Sequence, residues 1–345
     1  MFEPQGYAGA LACMVITMLC WGSWANTRKL TPGFRFPLFY WDFVTGLLAA
    51  TVLLGLTLGS MGATGRSLSG DLAQADAGHL WLAAASGADF NVANLLLVAA
   101  IEVAGLAVAF PVGIGLALVV GAVSSYLVAP TGNAPMLFGG VGLVVAAIVC
   151  DAAAYRMREA RAKAARPRDA KSTRRHGAKA TAKRGLWLSV AAGLLMGTFY
   201  PLVARSMQGP HAAGPYSAAM IFALGVALCA LPVNGALMRW PIDGGAKTTM
   251  RAYGDAPMRW HAWAAAGGAV WALGATLNFV AAQAGRIGPA VSYAMGQGAT
   301  MVTAAWGVFI WREFADAPRG AKWLLAAMFA LFVAGLTLVA LAPLH

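Results

Sequence analysis

The stretch RMREARAKAARPRDAKSTRRHGAKATAKRG, residues 156–185, is the only long polar interruption in a 345-residue chain that otherwise consists of apolar segments. It contains twelve of the 25 Lys and Arg residues and shows no apolar face, so we interpret it as a solvated linker. Five apolar segments precede it and five follow it. The sequence therefore predicts two five-helix halves, residues 1–155 and 186–345, joined by a basic linker.

Each apolar segment is about 20 residues long and almost free of charge, which is enough to cross a hydrocarbon core of about 30 Å. The composition agrees, because 59% of the residues are hydrophobic and only 11% are charged. The segments are Tyr7–Thr27, Pro37–Leu58, Leu80–Ile101, Leu106–Leu127, Pro135–Tyr155, Leu186–Ser206, Pro215–Met238, His261–Gln283, Ile287–Trp311 and Ala321–Leu341. The sequence thus predicts an all-α membrane protein with ten transmembrane helices.

The basic residues are distributed unevenly between the two sides of the predicted membrane. Twenty-two of the 25 fall on one side, and only Arg66, Arg205 and Arg286 fall on the other. Cytoplasmic loops of membrane proteins carry an excess of Lys and Arg, so the linker is predicted to be cytoplasmic and both termini to face outward. Because five is odd, the second half must enter the membrane from the opposite side. This is the inverted-repeat plan of many secondary transporters.

Short internal matches support two related halves. One match pairs the third and fourth segments with the eighth and ninth, and another pairs the first segment with the sixth. Asn94-Leu95 leads to Gly113-Ile114-Gly115 as Asn278-Phe279 leads to Gly296-Gln297-Gly298, and Gly22-Ser23-Trp24 parallels Gly197-Thr198-Phe199. Each match alone is weak, and together they favour an internal repeat.

Several other classes of protein are not favoured. The net charge of +12 does not indicate a nucleic-acid partner, because the excess sits mainly in one linker without interleaved aromatic residues. We interpret this charge as setting the topology in the lipid bilayer, with a weak attraction to anionic lipid. The four cysteines and five histidines form no CxxC pair or ligand cluster, so neither a disulfide framework nor a metal site is predicted. No intramembrane Ser/His pair or HExxH motif indicates an enzyme.

Two acidic residues inside the predicted spans are candidates for proton coupling. Asp42 lies near the start of the second segment, and Asp89 lies near the centre of the third. An ionisable group within a span is costly, so it usually faces a cavity, a partner or a proton path. By its position Asp89 is expected to be the better buried of the two. The alternative for Asp89 is a carboxyl kept neutral by a neighbour's hydrogen bond.

Helical geometry separates Asp89 from a nearby amide stripe. At about 100° per residue, Asn91, Asn94 and Glu102 share a face, whereas Asp89 points elsewhere unless Gly87 breaks the helix. Amide side chains form hydrogen bonds with both donors and acceptors, and aromatic rings stack on flat groups. Such side chains suit a small, neutral, planar or polyhydroxylated solute. The substrate-binding candidates are Trp21, Trp24, Asn91, Asn94, Trp271, Asn278, Tyr293, Gln297 and Thr300. Interhelical hydrogen bonding is the alternative role for the polar members of this set.

A cluster in the fourth segment predicts a local interruption of its helix. Pro111, Gly113 and Gly115 lie within five residues of one another. Proline and glycine can interrupt a transmembrane helix where it lines a cavity. Plain close packing of helices is the alternative reading of the two glycines.

Four strings of this chain resemble the ureide permease family. That family belongs to the drug/metabolite transporter superfamily and is related to the glucose/ribose porters and the rhamnose–proton symporter. The strings are YAGALACMVITMLCWGSWANTRKL (7–30), YWDF (40–43), ANLLLVAAIEVAGLAVAFPVGIGLALVVGAVSSYL (93–127) and WPIDGGAKTTMRAYG (240–254). The resemblance implies the drug/metabolite transporter fold and an outward N-terminus. It also implies that Asp42 corresponds to the family's acidic residue in the second segment and that Asn94-Leu95 corresponds to the family's Asn-Leu pair in the third.

The resemblance further implies proton-coupled import of ureides such as allantoin, or of oxo-heterocycles such as uracil. Plant members carry a Walker-A-like stretch in a long central loop, whereas residues 177–185 contain no Gly-Lys-Ser/Thr. The proton gradient is therefore the expected energy source, with no bound cofactor. We expect a multi-pass protein of the plasma membrane, that is, a bacterial inner membrane. A sugar–proton symporter on the same scaffold is the alternative function.

Overall fold

The computed structural model describes residues 1–62, 65–164, 178–242, 245–285 and 287–345. Within these ranges the chain is helical and forms no strand. The α-helices are α1 (Gly6–Ser23), α2 (Phe36–Leu56), α3 (Leu68–Gln74), α4 (Ala77–Ala104), α5 (Leu106–Val128), α6 (Ala134–Ala164), α7 (Ala178–Ser206), α8 (Pro215–Arg239), α9 (Met250–Gly254), α10 (Met258–Gln283), α11 (Gly288–Gly296), α12 (Ala299–Ala305) and α13 (Arg319–Leu341). A 3-10 helix, Trp24–Leu30, continues α1, and a π-helical turn, Trp306–Ile310, continues α12.

The described part of the chain contains nine helices that are long and apolar enough to cross a membrane. They are α1, α2, α4, α5, α6, α7, α8, α10 and α13, and they match nine of the predicted segments. The remaining predicted segment, Ile287–Trp311, is helical but divided into α11, α12 and the π-helical turn. The predicted all-α membrane class is therefore confirmed, whereas the ninth segment is not a single continuous helix.

The predicted interruption at Pro111, Gly113 and Gly115 is wrong. Helix α5 runs without a break from Leu106 to Val128 with Pro111 inside it. A proline this near the helix start removes a single backbone hydrogen bond, and each glycine costs only about 1 kcal/mol relative to alanine. Helix α5 also packs along α7, and tertiary packing of this kind contributes more to helix stability than intrinsic propensity does. The irregular backbone lies just before α5, at Gly105, whose φ of 84° allows the turn from α4.

The ends of the predicted linker are helical. Helix α6 continues from the fifth segment to Ala164, and α7 already begins at Ala178. The predicted solvated linker, residues 156–185, is therefore partly helical. Residues 165–177 lie outside the described residues.

Helix packing follows a pattern that repeats when the two halves are exchanged. The packing of α4 on α7 corresponds to that of α10 on α1, and the packing of α2 on α10 corresponds to that of α8 on α4. The contact of α5 with α7 corresponds to that of α12 with α1. The pairs α6 with α13 and α2 with α8 each join equivalent helices. Exchanging the halves therefore reproduces each of these helix contacts.

Reciprocal glycine contacts bring α2 and α10 together at backbone distance. A Cβ added to Gly46 would lie 2.0 Å from the Ala265 carbonyl oxygen, and one added to Gly268 would lie 1.9 Å from that of Phe43. Each carbonyl belongs to the residue three positions before the partner glycine. No larger side chain fits at these two positions without separating the helices.

The crossing of α4 and α8 uses the same arrangement. A Cβ on Gly87 would lie 2.0 Å from the Phe222 carbonyl oxygen, and one on Gly225 would lie 2.0 Å from that of Ala84. The three-residue offset is also the same. Gly87 therefore serves helix packing, and α4 is continuous through it.

These two crossings indicate which residues of α4 and α10 are equivalent when the halves are exchanged. Gly87 is equivalent to Gly268, so Asn94, seven residues after Gly87, is equivalent to Ala275, seven residues after Gly268. The sequence match of Asn94 with Asn278 is therefore wrong by about one helical turn. The match of Gly22 with Gly197 agrees with the structure, because a Cβ on either glycine would overlap a valine of α12 or α5, respectively.

A substitution at one crossing is expected to destabilise the protein. Gly268→Ala places a methyl group against the Phe43 carbonyl, so we expect the free energy of unfolding to fall by about 1–3 kcal/mol, as in overpacked cores. Thermal unfolding of the purified protein in detergent measures this. Gly235→Ala in α8 is the matched control, because its Cβ meets nothing within 4 Å. Equal loss of stability in both variants would contradict the proposed role of the crossing.

Candidate functional site

Two buried asparagines and a tyrosine form a polar cluster between α2 and α4. The Tyr40 hydroxyl donates a hydrogen bond to Asn91 Oδ1 at 2.9 Å. Asn94 lies one turn further along the same face of α4. Asn91 is 0% exposed and Asn94 is 7% exposed, and the Nδ2 of each has no hydrogen-bond partner. Buried polar groups usually have partners, so this amide cluster (Tyr40, Asn91 and Asn94) offers two unused donors to a ligand.

A cleft opens at the end of the molecule that is predicted to be cytoplasmic, and it is lined by residues one to three turns from the amide cluster on the same helices. Its space, including the open mouth, is about 450 Å³. The α4 residues that line it, Leu95, Val98, Ala99 and Glu102, continue the helix face of Asn91 and Asn94. On α2 it is lined by Phe36 and Pro37, about one turn before Tyr40. The cleft therefore follows the two helix faces that lead to the cluster.

Asn234 of α8 adds an unused acceptor beside the cleft. Its Nδ2 donates to the carbonyl oxygen of Pro37 at 2.8 Å, while its buried Oδ1 has no partner. Asn234 is not among the residues predicted from the sequence. An amide inside an apolar segment could have indicated it, because Asn234 lies in the seventh apolar segment just as Asn91 lies in the third.

An aromatic stack lies next to the amide cluster. Trp271 of α10 stacks on Trp21 at a centroid distance of 5.7 Å and on Phe222 at 5.9 Å, each with an interplanar angle of 15°. Phe90, the neighbour of Asn91, approaches Trp271 to 4.5 Å. Trp24 does not join this stack but packs against Phe43 at 4.8 Å. The structure thus brings together Trp21 and Trp271 of the predicted set, and it places Trp24 elsewhere.

Asn278 makes interhelical hydrogen bonds with all of its side-chain groups. Its Oδ1 accepts from the Tyr200 hydroxyl, and its Nδ2 donates to the Ser292 carbonyl oxygen at 2.9 Å. The Ser292 hydroxyl donates in turn to the Asn278 carbonyl oxygen at 2.8 Å. These contacts connect α7, α10 and α11. Interhelical hydrogen bonding, the alternative role given for Asn278, is therefore the role that the structure shows for its side chain.

The stripe predicted in the ninth segment is divided by a bend. The Tyr293 hydroxyl donates to the Ala117 carbonyl oxygen at 3.1 Å, which joins α11 to α5. Gln297 is half-buried and lies between α11 and α12, and Thr300 is buried at the start of α12. The bend forms where Gly296 packs against the ring of Trp21. The three side chains therefore do not form one regular helical face.

Asp42 bridges three helices at the predicted cytoplasmic end. The Tyr253 hydroxyl donates to Asp42 Oδ1 at 2.6 Å, and His261 Nδ1 lies 2.8 Å from Asp42 Oδ2. Burial, the hydrogen bond to Asp42 and the charge of Asp42 together raise the pKa of Tyr253 to about 12, so this phenol stays protonated and donates. The sequence analysis missed His261, because it lies 219 residues from Asp42 along the chain.

Asp89 lies on a different face of α4 from the amide cluster. Its Oδ2 accepts a hydrogen bond at 2.7 Å from Thr198 of α7, whereas Asn91 faces α2. The predicted separation of Asp89 from the asparagines is confirmed, since α4 stays regular. The expectation that Asp89 is the better buried acid is wrong, because Asp89 is half-buried and Asp42 is only 8% exposed. Depth along a span does not determine which side a residue faces.

Comparison with known proteins places the chain in a family. A family model described as ureide permease matches residues 39–186 and 184–342. Ureide permease 4 of Arabidopsis thaliana is 24% identical, with 98% of each chain covered, and ureide permease 1 of the same plant is 25% identical, with 96% of each covered. One solved crystal structure matches with a TM-score of 0.63 at 17% identity over 96% of both chains, which shows the fold alone. This multi-pass membrane protein therefore belongs to the ureide permease family.

Proposed function

We propose that the protein is a secondary transporter that imports a small ureide such as allantoin, or a nucleobase-like oxo-heterocycle, by proton symport and alternating access. The amide cluster is the observation that carries this proposal. The Nδ2 groups of Asn91 and Asn94 are unused donors, and the side-chain carbonyl of Asn234 is an unused acceptor. A ureido group presents carbonyl acceptors and N–H donors in one plane, so amide side chains complement it.

The proposed alternating access uses two halves with opposite orientations in the membrane. Residues 1–155 and 186–345 would be the halves, residues 156–185 the cytoplasmic linker, and both termini would face outward from a plasma membrane. The distribution of basic residues supports this orientation. The exchange symmetry of the helix contacts and the matching glycine crossings support a structural repeat. Rocking of one half against the other would expose the site to each side in turn.

Asp42 is the proposed coupling carboxyl. It belongs to α2 of the first half, and its partners Tyr253 and His261 belong to the second half. Protonation removes the negative charge that holds these contacts, so it would loosen a connection between the halves on the cytoplasmic side. A proton on Asp42 would thereby change the relative stability of the two access states.

A sugar–proton symporter is the second candidate, favoured by the stacked rings of Trp21, Trp271 and Phe222. Such a stack also suits the apolar face of a sugar ring. Purified protein in liposomes distinguishes the candidates when labelled allantoin and an inside-alkaline gradient are supplied. We expect uptake that unlabelled allantoin or uracil reduces and that glucose or rhamnose leaves unchanged. Uptake of labelled glucose or rhamnose under the same gradient, without uptake of labelled allantoin, would replace the ureide proposal with the sugar proposal.

A further inference from the structure

A groove with an apolar floor and a cationic end lies between the π-helical turn and α13. Its space, including the open side, is about 830 Å³. Val308, Phe309, Leu325, Ala326 and Phe329 line its length. Phe309 is 66% exposed, because the π-helical turn directs it away from the helix bundle. The groove therefore presents a long apolar surface on the outside of the bundle.

Two cations, Arg312 and Lys322, lie at one end of this groove. Arg312 is exposed and has a φ of 50°, a conformation that a non-glycine residue adopts only at an energetic cost. Lys322 donates a hydrogen bond to the Ala315 carbonyl oxygen at 3.0 Å. Neither cation forms an ion pair with a carboxylate in the described part of the chain.

The nearest acid along the chain does not neutralise Arg312. Glu313 is bound to Lys29 at 2.6 Å and to Arg158 at 3.1 Å, so its two carboxylate oxygens are used by cations from the ends of the first segment and of α6. The positive charge at the groove is therefore uncompensated within these contacts. It also lies directly beside a network that joins three parts of the bundle at this end.

We propose that the groove binds one anionic phospholipid of the cytoplasmic leaflet. The phosphate and anionic headgroup would lie against Arg312 and Lys322, and one acyl chain would follow Phe309 and Phe329. Arg312 is at the end of a segment predicted to emerge into the cytoplasm, which is where anionic lipids attract basic residues. A soluble anion would use the cations and leave the apolar floor exposed, whereas a phospholipid fills both parts.

The charge requirement is tested with the purified full-length protein by native mass spectrometry. The probes are dioleoyl phosphatidylglycerol and dioleoyl phosphatidylcholine. We expect the wild-type protein to retain the anionic lipid preferentially, and we expect Arg312→Gln/Lys322→Gln to lower its apparent affinity roughly tenfold. Arg251→Gln/Arg259→Gln is the charge-matched control, because it also removes two exposed cations at the same end, and neither of them lines the groove. An unchanged double variant, or an equal loss in the control, would overturn the proposal.

The groove requirement is tested by Ala326→Trp, which fills the groove and keeps both cations. We expect this variant to lose the anionic lipid as well, and full retention would show that surface charge alone attracts the lipid, contrary to the proposal. The wild-type protein provides a test that does not depend on variant folding. A photoactivatable phosphatidylglycerol should crosslink to residues 308–329 more than the matching phosphatidylcholine does. Equal labelling by the two lipids, or labelling elsewhere, would contradict the proposed site.

Discussion

The Asp42→Asn variant is expected to lose proton-driven accumulation of solute and to keep counterflow exchange. Asparagine can still accept a hydrogen bond from Tyr253, but it cannot take up a proton in the physiological range. One proton per solute and a gradient of one pH unit sustain about tenfold accumulation, since about 1.4 kcal/mol corresponds to a factor of ten. This concentrative uptake should disappear, while exchange at equal pH continues.

The measurement is uptake of labelled solute into liposomes with and without an inside-alkaline gradient. Asp89→Asn is the informative comparison, because its side chain can still accept the hydrogen bond from Thr198. We expect Asp89→Asn to accumulate solute as the wild-type protein does. Asp255→Asn, a change to a carboxylate that is 73% exposed, controls for the loss of one acid at the same end. Unimpaired uphill uptake by Asp42→Asn would exclude Asp42 as the coupling site.

The Asn91→Leu variant is expected to lose both stability and solute binding. Leucine leaves the buried Tyr40 hydroxyl without its acceptor, which costs about 1–3 kcal/mol of folding free energy. It also removes one of the two unused donors of the amide cluster. The loss of one buried hydrogen bond to the solute is expected to weaken its apparent affinity about tenfold.

A second substitution separates the two effects. In Tyr40→Phe/Asn91→Leu neither partner of the original hydrogen bond remains, so thermal stability should largely recover. Solute affinity should not recover, because the donor is still absent. Ligand-induced stabilisation of the purified protein with allantoin measures the affinity of each variant. A double variant that binds allantoin as tightly as the wild-type protein would show that the cluster is structural.

The membrane class could be predicted from the sequence because it depends on local quantities. Segment length and hydropathy identify the spans, and helical periodicity places Asp89 and Asn91 on different faces of α4. The contacts of Asp42 could not be predicted in this way. They join Asp42 to His261, which is distant in the chain, through the packing of α2 on α10.

The ninth segment shows why the helix interruption was misplaced. Proline and glycine in the fourth segment indicated a break, but α5 is continuous and packs along α7. The interruption lies instead between Gly296 and Ala299, where the side chains of Trp21 and Met18 pack closely against Gly296 and Gly298. Composition alone does not distinguish a glycine that allows a neighbouring helix to pack closely from a glycine at which its own helix is interrupted.

Labelling of two equivalent loops tests the opposite orientation of the halves most directly. Ser69 lies between α2 and α4, and Asp255 lies at the equivalent place between α8 and α10; both are exposed. Each is replaced by cysteine after removal of the four native cysteines, and intact cells are treated with a membrane-impermeant maleimide. We predict labelling of Ser69→Cys in intact cells and of Asp255→Cys only after permeabilisation. Labelling of both from the same side would contradict the inverted arrangement and the transport cycle proposed from it.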